Sequence, residues 1–176
     1  LVQLETPIET VFAAASAASQ AGARVILNPA PARELSRELL SLVSVLTPNE
    51  SEAARLTGMS TGGAEELDAA ATALLHRGVG AVVITLGAGG AYVATREQRE
   101  LIPAFPVAAR DTTGAGDVFN GALAVALAER VRLVDAVRFA NAAAAISVTR
   151  DGAQAAAPYR AEILAHRRIE IDEVLG

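Results

Sequence analysis

Between Gly80 and Gly87 lies a short apolar run, Ala-Val-Val-Ile-Thr-Leu, too brief for a helix and bounded by turn residues. Ala81–Leu86 therefore predicts a strand buried on both faces. Such a strand needs helices above and below it, and the sequence before it supplies them. Leu1–Leu4, Val25–Leu27 and Ser44–Leu46 read as further short apolar strands. Helical spacing fills the intervals, over Ile8–Ala21, Arg33–Leu42, Glu50–Leu56 and Ala64–Arg77. Gly22, Gly58 and Gly78 are placed to close three of these helices. This alternation predicts an α/β fold with a parallel sheet covered on both faces. Ala91–Thr95 and Leu101–Phe105 are expected to pair antiparallel around the polar turn Arg96–Arg99. Two alanine-rich helices, Gly116–Glu129 and Val134–Val148, and a polar helix near Arg160–Arg167 complete one expected domain over residues 1–176.

Composition narrows the function classes. The chain is 52% hydrophobic and 20% charged, a globular balance rather than a disordered one. Acids, arginines and glycines interrupt every apolar stretch, so no run is long enough to cross a membrane. Cysteine is absent, which excludes disulfides and thiolate metal sites. A net charge of −5, no basic block and 3% aromatics argue against a nucleic-acid partner. No secretory leader is legible. Leu1-Val2-Gln3-Leu4 has strand character from its first residue, so the chain is expected to be a piece of something longer.

The stretch with the most chemistry is Asp111-Thr112-Thr113-Gly114-Ala115-Gly116-Asp117, followed at once by a nearly all-apolar helix. Its glycines permit a tight turn and close approach to a ligand. The helix start offers unpaired N–H groups and a positive dipole end, a site for an anion such as phosphate. Asp117 stands at its entrance, where a carboxylate would repel a resting phosphate. General-base work on a hydroxyl attacking phosphorus would explain it. Service as a helix cap would explain it too.

Other candidates follow the strands. Glu5, Asn28, Asn49 with Glu52, and Thr85 with Gly87 lie after successive strands, on the carboxyl edge where parallel sheets bind ligands. Thr85-Leu86-Gly87-Ala88-Gly89-Gly90 either covers nucleotide phosphates or makes a tight hairpin. Asn49 and Glu52 share a helical face, suited to hydrated Mg²⁺ beside phosphates or to a capping box. Asn141 sits among apolar neighbours and must find a partner, either a nucleotide base or backbone. Ser147–Gly152 is either a carbonyl loop for a monovalent cation or an ordinary helix end. His76 and His166 read as surface residues.

Five of these segments, in order, resemble the ribokinase-type carbohydrate kinases of the phosphofructokinase-B family. They are Asn28-Pro29-Ala30-Pro31-Ala32-Arg33, Thr47-Pro48-Asn49-Glu50-Ser51-Glu52, Thr85–Gly90, Asp111–Asp117, and Phe139–Thr149 with Gly152-Ala153-Gln154. The resemblance implies a Rossmann-like three-layer αβα fold, mainly parallel with an antiparallel edge, lacking the family's N-terminal half and β-lid. It implies ATP-dependent phosphorylation of a sugar primary hydroxyl, D-ribose to ribose 5-phosphate first. Kinases of fructose, a keto-deoxy sugar acid or a nucleoside, and a non-catalytic nucleotide-binding fragment, remain alternatives. It makes Asp117 the base, in contact with the substrate, and Gly114, Ala115 and Gly116 the anion hole. Asn49, Thr85, Leu86, Gly87, Ala88, Gly89, Gly90, Gly116 and Asn141 match ATP contacts, and Glu5 matches an acid near the sugar. Glu52 matches the acid that organises Mg²⁺ through water. Asp111, Thr113, Ser147, Arg150 and Gly152 match potassium loops. Ala156 departs from a serine common there, which removes a possible hydroxyl ligand for K⁺. A cytoplasmic homodimer is the implied setting of the whole protein, and the half sheet is expected to carry an unpaired edge.

Overall fold

The computed structural model describes residues 1–166. Its elements are α1 (Ile8–Gln20), β1 (Ile26–Leu27), α2 (Arg37–Leu42), β2 (Val45–Leu46), α3 (Glu50–Thr57), α4 (Ala64–His76), β3 (Ala81–Thr85), β4 (Ala91–Ala94), β5 (Arg99–Ile102), α5 (Ala115–Ala128) and α6 (Leu133–Ser147). One sheet runs in the order β1-β2-β3-β4-β5, with β1, β2 and β3 parallel and β4 antiparallel to β3. The fold is thus α/β, mostly parallel with an antiparallel edge. Among the described residues no helix is long and apolar enough to cross a membrane.

The chain divides into two compact units, Leu1–Gly87 with Ala91–Leu101, and Ala88–Gly90 with Ile102 onward. In the first, Leu46 is paired with Leu27 on one side and Val82 on the other, and all three side chains are fully enclosed. β3 is buried at Ala81, Val82, Val83 and Ile84, as a strand covered on both faces must be. α4 turns Leu67, Ala71, Leu74 and Leu75 inward, the spacing of one helical stripe. A leucine enclosed like Leu74 contributes about 2–5 kcal/mol relative to alanine. α3 ends at Gly58, whose left-handed φ of 73° lets its N–H reach the Ala54 carbonyl.

Three boundaries differ from the sequence reading by more than one residue. Leu1–Leu4 is not a full strand; only Val2 bridges to Leu27, with its N–H on the Ile26 carbonyl and its carbonyl taking the Asn28 N–H. α2 starts at Arg37 rather than Arg33, because Ser36 Oγ accepts the Leu39 N–H and fixes the first turn there. β5 is Arg99–Ile102 rather than Leu101–Phe105. Thr95 Oγ1 accepts the Glu97 and Gln98 N–H groups and draws the turn tighter, and Pro103 has no N–H to extend the strand.

In the second unit α5 and α6 pack together, burying Phe119, Leu123 and Leu127 on one and Val137, Ala140 and Ala143 on the other. Residues 160–166 are helical; Arg167, the expected end of that helix, lies outside the described residues. His166 is not a surface residue, since its ring packs on Phe105 at 5.4 Å between centroids and buries Nε2.

Candidate active site

In the first unit the polar strand ends share an edge. Asn28 follows β1, Asn49 follows β2, and Thr85 ends β3, three parallel strands pointing the same way. Asn49 and Thr85 form a parallel bridge, and the Thr85 N–H donates to the Pro48 carbonyl at 2.9 Å. Asn28 is buried, its Nδ2 donating to the Thr47 carbonyl at 2.8 Å and its Oδ1 accepting from Gln3 at 3.0 Å. Gln3 was not singled out from the sequence, although its polar side chain between Val2 and Leu4 was a usable signal. Glu5 is exposed on the loop that follows.

Asn49 and Glu52 form a complete capping box at the start of α3. Asn49 Oδ1 accepts the Glu52 N–H, and Glu52 Oε2 accepts the Asn49 N–H, both at 2.8 Å. The box leaves the Asn49 amide N–H₂ and the second Glu52 carboxylate oxygen to face other partners. Burial raises the Glu52 pKa above the ordinary glutamate value, partly offset by the Asn49 N–H. A carboxylate half withdrawn from water, with one oxygen uncommitted, fits water-mediated contact with a hydrated Mg²⁺. Among the described residues no three acidic or histidine groups converge as a direct metal cage.

Beyond Thr85 the chain makes a 3₁₀ turn at Gly87–Gly89, with Gly87, Ala88 and Gly89 exposed. Gly90 closes it at a φ of 94°. A Cβ there would lie 2.1 Å from the Ile102 carbonyl oxygen, so only glycine fits.

In the second unit Gly114 caps α5 in the left-handed region, at φ 73°. A Cβ on it would stand 3.0 Å from that of Ala153, which sets Gly152-Ala153-Gln154 beside the helix start. A Cβ on Gly116 would meet nothing within 4 Å. The Ala115 N–H is taken by the Thr112 carbonyl, and Val118 begins the intrahelical bonds. First-turn amides at Gly116 and Asp117 precede any intrahelical acceptor, and the dipole adds positive potential there. Asp117 is exposed in that first turn, at the wall of a cavity of about 530 Å³ that Val118, Ala122, Phe139 and Ile163 make mostly apolar. An anion at the amides would thus sit beside a carboxylate and an apolar surface that limits water.

Asp111 joins the two expected cation loops. Its Oδ1 accepts the Thr113 N–H and its Oδ2 the Gly152 N–H, both at 2.9 Å. The Thr113 hydroxyl first, then the Thr113 and Gly152 amides, hold its pKa down to about 2. The Val148 carbonyl takes the Arg110 and Asp111 N–H groups, and Arg110 pairs with Asp151 at 2.5 Å. Ser147 Oγ bonds back to Ala144, and the Arg150 guanidinium pairs with Glu162, so neither side chain is turned to a cation. Backbone carbonyls remain the groups that fit one, and Ala156 is buried with no hydroxyl to add. Asn141, 5% exposed, donates through Nδ2 to the Ile102 and Pro103 carbonyls at 3.2 and 3.1 Å. The backbone reading of this residue is therefore the one the geometry displays.

A model of the pfkB family carbohydrate kinases matches residues 1–160. The chain belongs to this family. Among pfkB relatives, the ribokinase of Haemophilus influenzae is 48% identical over 93% of this chain and 54% of its own length. The deoxyribokinase of Salmonella typhi is 39% identical over 90% of this chain and 52% of its own length. The structure of Arabidopsis thaliana ribokinase complexed with ribose and ATP superposes with a TM-score of 0.90 at 35% identity, covering 93% of this chain and 54% of that one. This pfkB chain spans about half the length of the curated relatives it matches.

Proposed function

We propose that the chain is the nucleotide-binding and catalytic half of a kinase that transfers the γ-phosphoryl group of ATP to the primary hydroxyl of a sugar, D-ribose to ribose 5-phosphate. The observation that carries this is Asp117 in the exposed first turn of α5, beside the left-handed Gly114 cap, in a pfkB chain 48% identical to a ribokinase. Asp117 takes the hydroxyl proton, and the oxygen attacks phosphorus in line. The amides of Gly114 and Gly116 hold the charge that grows on the transferring group, the Ala115 N–H expected beside them being already given to the Thr112 carbonyl. Asn49 and the Thr85–Gly90 loop hold the nucleotide, with Asn141 near its base, and Glu5 serves the sugar. Glu52 orients the water shell of Mg²⁺, which when bound neutralises phosphate charge. Carbonyls of the loops around Asp111, Thr113, Ser147, Arg150 and Gly152 hold K⁺. The whole protein acts in the cytoplasm as a homodimer, on small molecules and on neither nucleic acid nor membrane.

The 39% identity to a deoxyribokinase supports a second acceptor, 2-deoxyribose. Phosphorus NMR on the protein that carries this chain separates the two. Incubation with ATP, Mg²⁺ and each sugar is expected to yield ADP and a 5-phosphate, faster with ribose. Faster turnover of 2-deoxyribose would select the second reading, and no sugar phosphate from either would overturn the kinase assignment.

A further inference from the structure

We infer that Arg33 is a positioning residue for Glu5, holding the loop that carries it through the Thr6 carbonyl. The inference rests on the reading above that Glu5 serves the sugar.

Glu5 lies in the bend between the Val2 bridge and α1. Its side chain is exposed, so its place follows that of the backbone beneath it. Two long-range bonds hold that backbone, one on each side of Glu5. The Leu4 N–H donates to the Ala30 carbonyl at 2.9 Å, and the Arg33 guanidinium donates to the Thr6 carbonyl at 3.0 Å. The Leu4 side is anchored besides, because that side chain is buried in the core. On the other side Pro7 leads into α1 without an N–H to give. The tie there comes to the Thr6 carbonyl from Arg33, 27 residues away in sequence.

The surroundings of Arg33 suit it to this work. It stands in the link between β1 and α2, close to the buried Leu35 and to Ser36, whose hydroxyl fixes the first turn of α2. Its Nε is buried and has no acceptor among the described residues. Such burial is costly, and a bond made by the same group helps to offset it. A stem covered in this way limits the swing of the guanidinium, and a charged donor bonds a carbonyl more strongly than a neutral one. Without the tie, Glu5 would still be present but would sample more positions. A sugar would then have to order the loop on binding, which weakens affinity rather than slowing the chemistry.

Kinetics on the protein that carries this chain test this with two variants. Arg33→Met keeps the apolar stem and removes the donors, and Arg33→Lys keeps a cationic donor. Arg33→Met is expected to raise the KM for ribose roughly tenfold, the scale of one hydrogen bond from a charged donor. Its kcat and its KM for ATP are expected to stay unchanged, the pattern of lost uniform binding. Arg33→Lys is expected to recover most of the loss. In a Glu5→Gln background Arg33→Met is expected to add nothing, since both changes act on one contact. Amide exchange without substrate is expected to rise at Leu4, Glu5 and Thr6 in Arg33→Met. It should stay as in wild type at Asn28, whose N–H donates to the Val2 carbonyl. An unchanged ribose KM in Arg33→Met would overturn the inference. So would a full further rise in the Glu5→Gln background, the mark of an arginine that touches the sugar itself. A lower kcat with both KM values raised would mean a merely structural role and overturn it as well. A ribose KM that Glu5→Gln leaves unchanged would remove Glu5 from the sugar and the inference with it. If the wild type phosphorylates no sugar, the kinase reading fails; unchanged exchange at Leu4–Thr6 then overturns the clamp, and a rise there upholds it.

Discussion

Asp111 shows how one side chain can hold two loops. Its carboxylate accepts N–H groups from Thr113 and from Gly152, and these bonds favour the charged form, lowering its pKa from 3.8 to about 2. A folded pKa below the unfolded one means that the unfolded chain binds the proton more readily. The tie is therefore fully stabilising above about pH 4, weakens as pH falls below that, and is lost through pH 2. Carbon NMR of the Asp111 carboxyl is expected to show a midpoint near 2 in the wild type. A midpoint near 4 in the folded protein would contradict the tie. In Asp111→Asn the Gly152 amide should lose its protection from exchange. Gly114 makes the complementary point, since its φ of 73° and the Ala153 methyl, which a Cβ on it would meet at 3.0 Å, favour a residue with only hydrogen at Cα.

Elements were legible where a local rule governs them. The apolar run of β3, the capping box of Asn49 and Glu52 and the glycine stop at Gly58 are all decided within a few residues, and each lies where the sequence places it. The misplaced boundaries were decided by side chains that compete with periodicity, Ser36 at the start of α2 and Thr95 at the β4–β5 turn. The site followed the same division. Asp117 and its glycines, and the strand ends at Asn49 and Thr85, were readable in place. The ties that hold them were not. Asp111 to Gly152, Gly90 to Ile102 and Asn141 to Pro103 join residues remote in sequence, and no local pattern marks such pairs. The two loops that Asp111 joins carry the potassium proposal. A cation held by their carbonyls would stiffen the neighbouring amides of α5. The rate of the protein carrying this chain is expected to be higher in K⁺ than in Na⁺ at matched ionic strength. Equal rates in the two salts would count against that site, and the missing hydroxyl at Ala156 should make the K⁺ requirement weak.

At the scale of the molecule, the sheet exposes two different edges. β5 carries Arg99 and Glu100, charges that discourage pairing with another strand, and Asp68 on α4 pairs with Arg99 at 2.7 Å. Beyond β1 only Val2 bridges, so this side has little covering of its own among the described residues. The chain spans about half the length of its curated relatives, and it carries the segment to which we assign the chemistry. That segment is the start of α5, and Asp117 is its deciding residue. Asp117→Asn keeps the size and a hydrogen-bonding side chain, and the cap of α5, Gly114, is untouched by it. The measurement is kcat with ribose, and ATP affinity by calorimetry, for wild type and Asp117→Asn of the protein that carries this chain. Loss of a general base is expected to lower kcat by about 10²–10⁴-fold, with folding intact and ATP bound as tightly as before or more so, since a negative charge beside the γ-phosphate is gone. Turnover within a few-fold of wild type would contradict the assignment and leave Asp117 an acid that only complements the dipole in the first turn of α5.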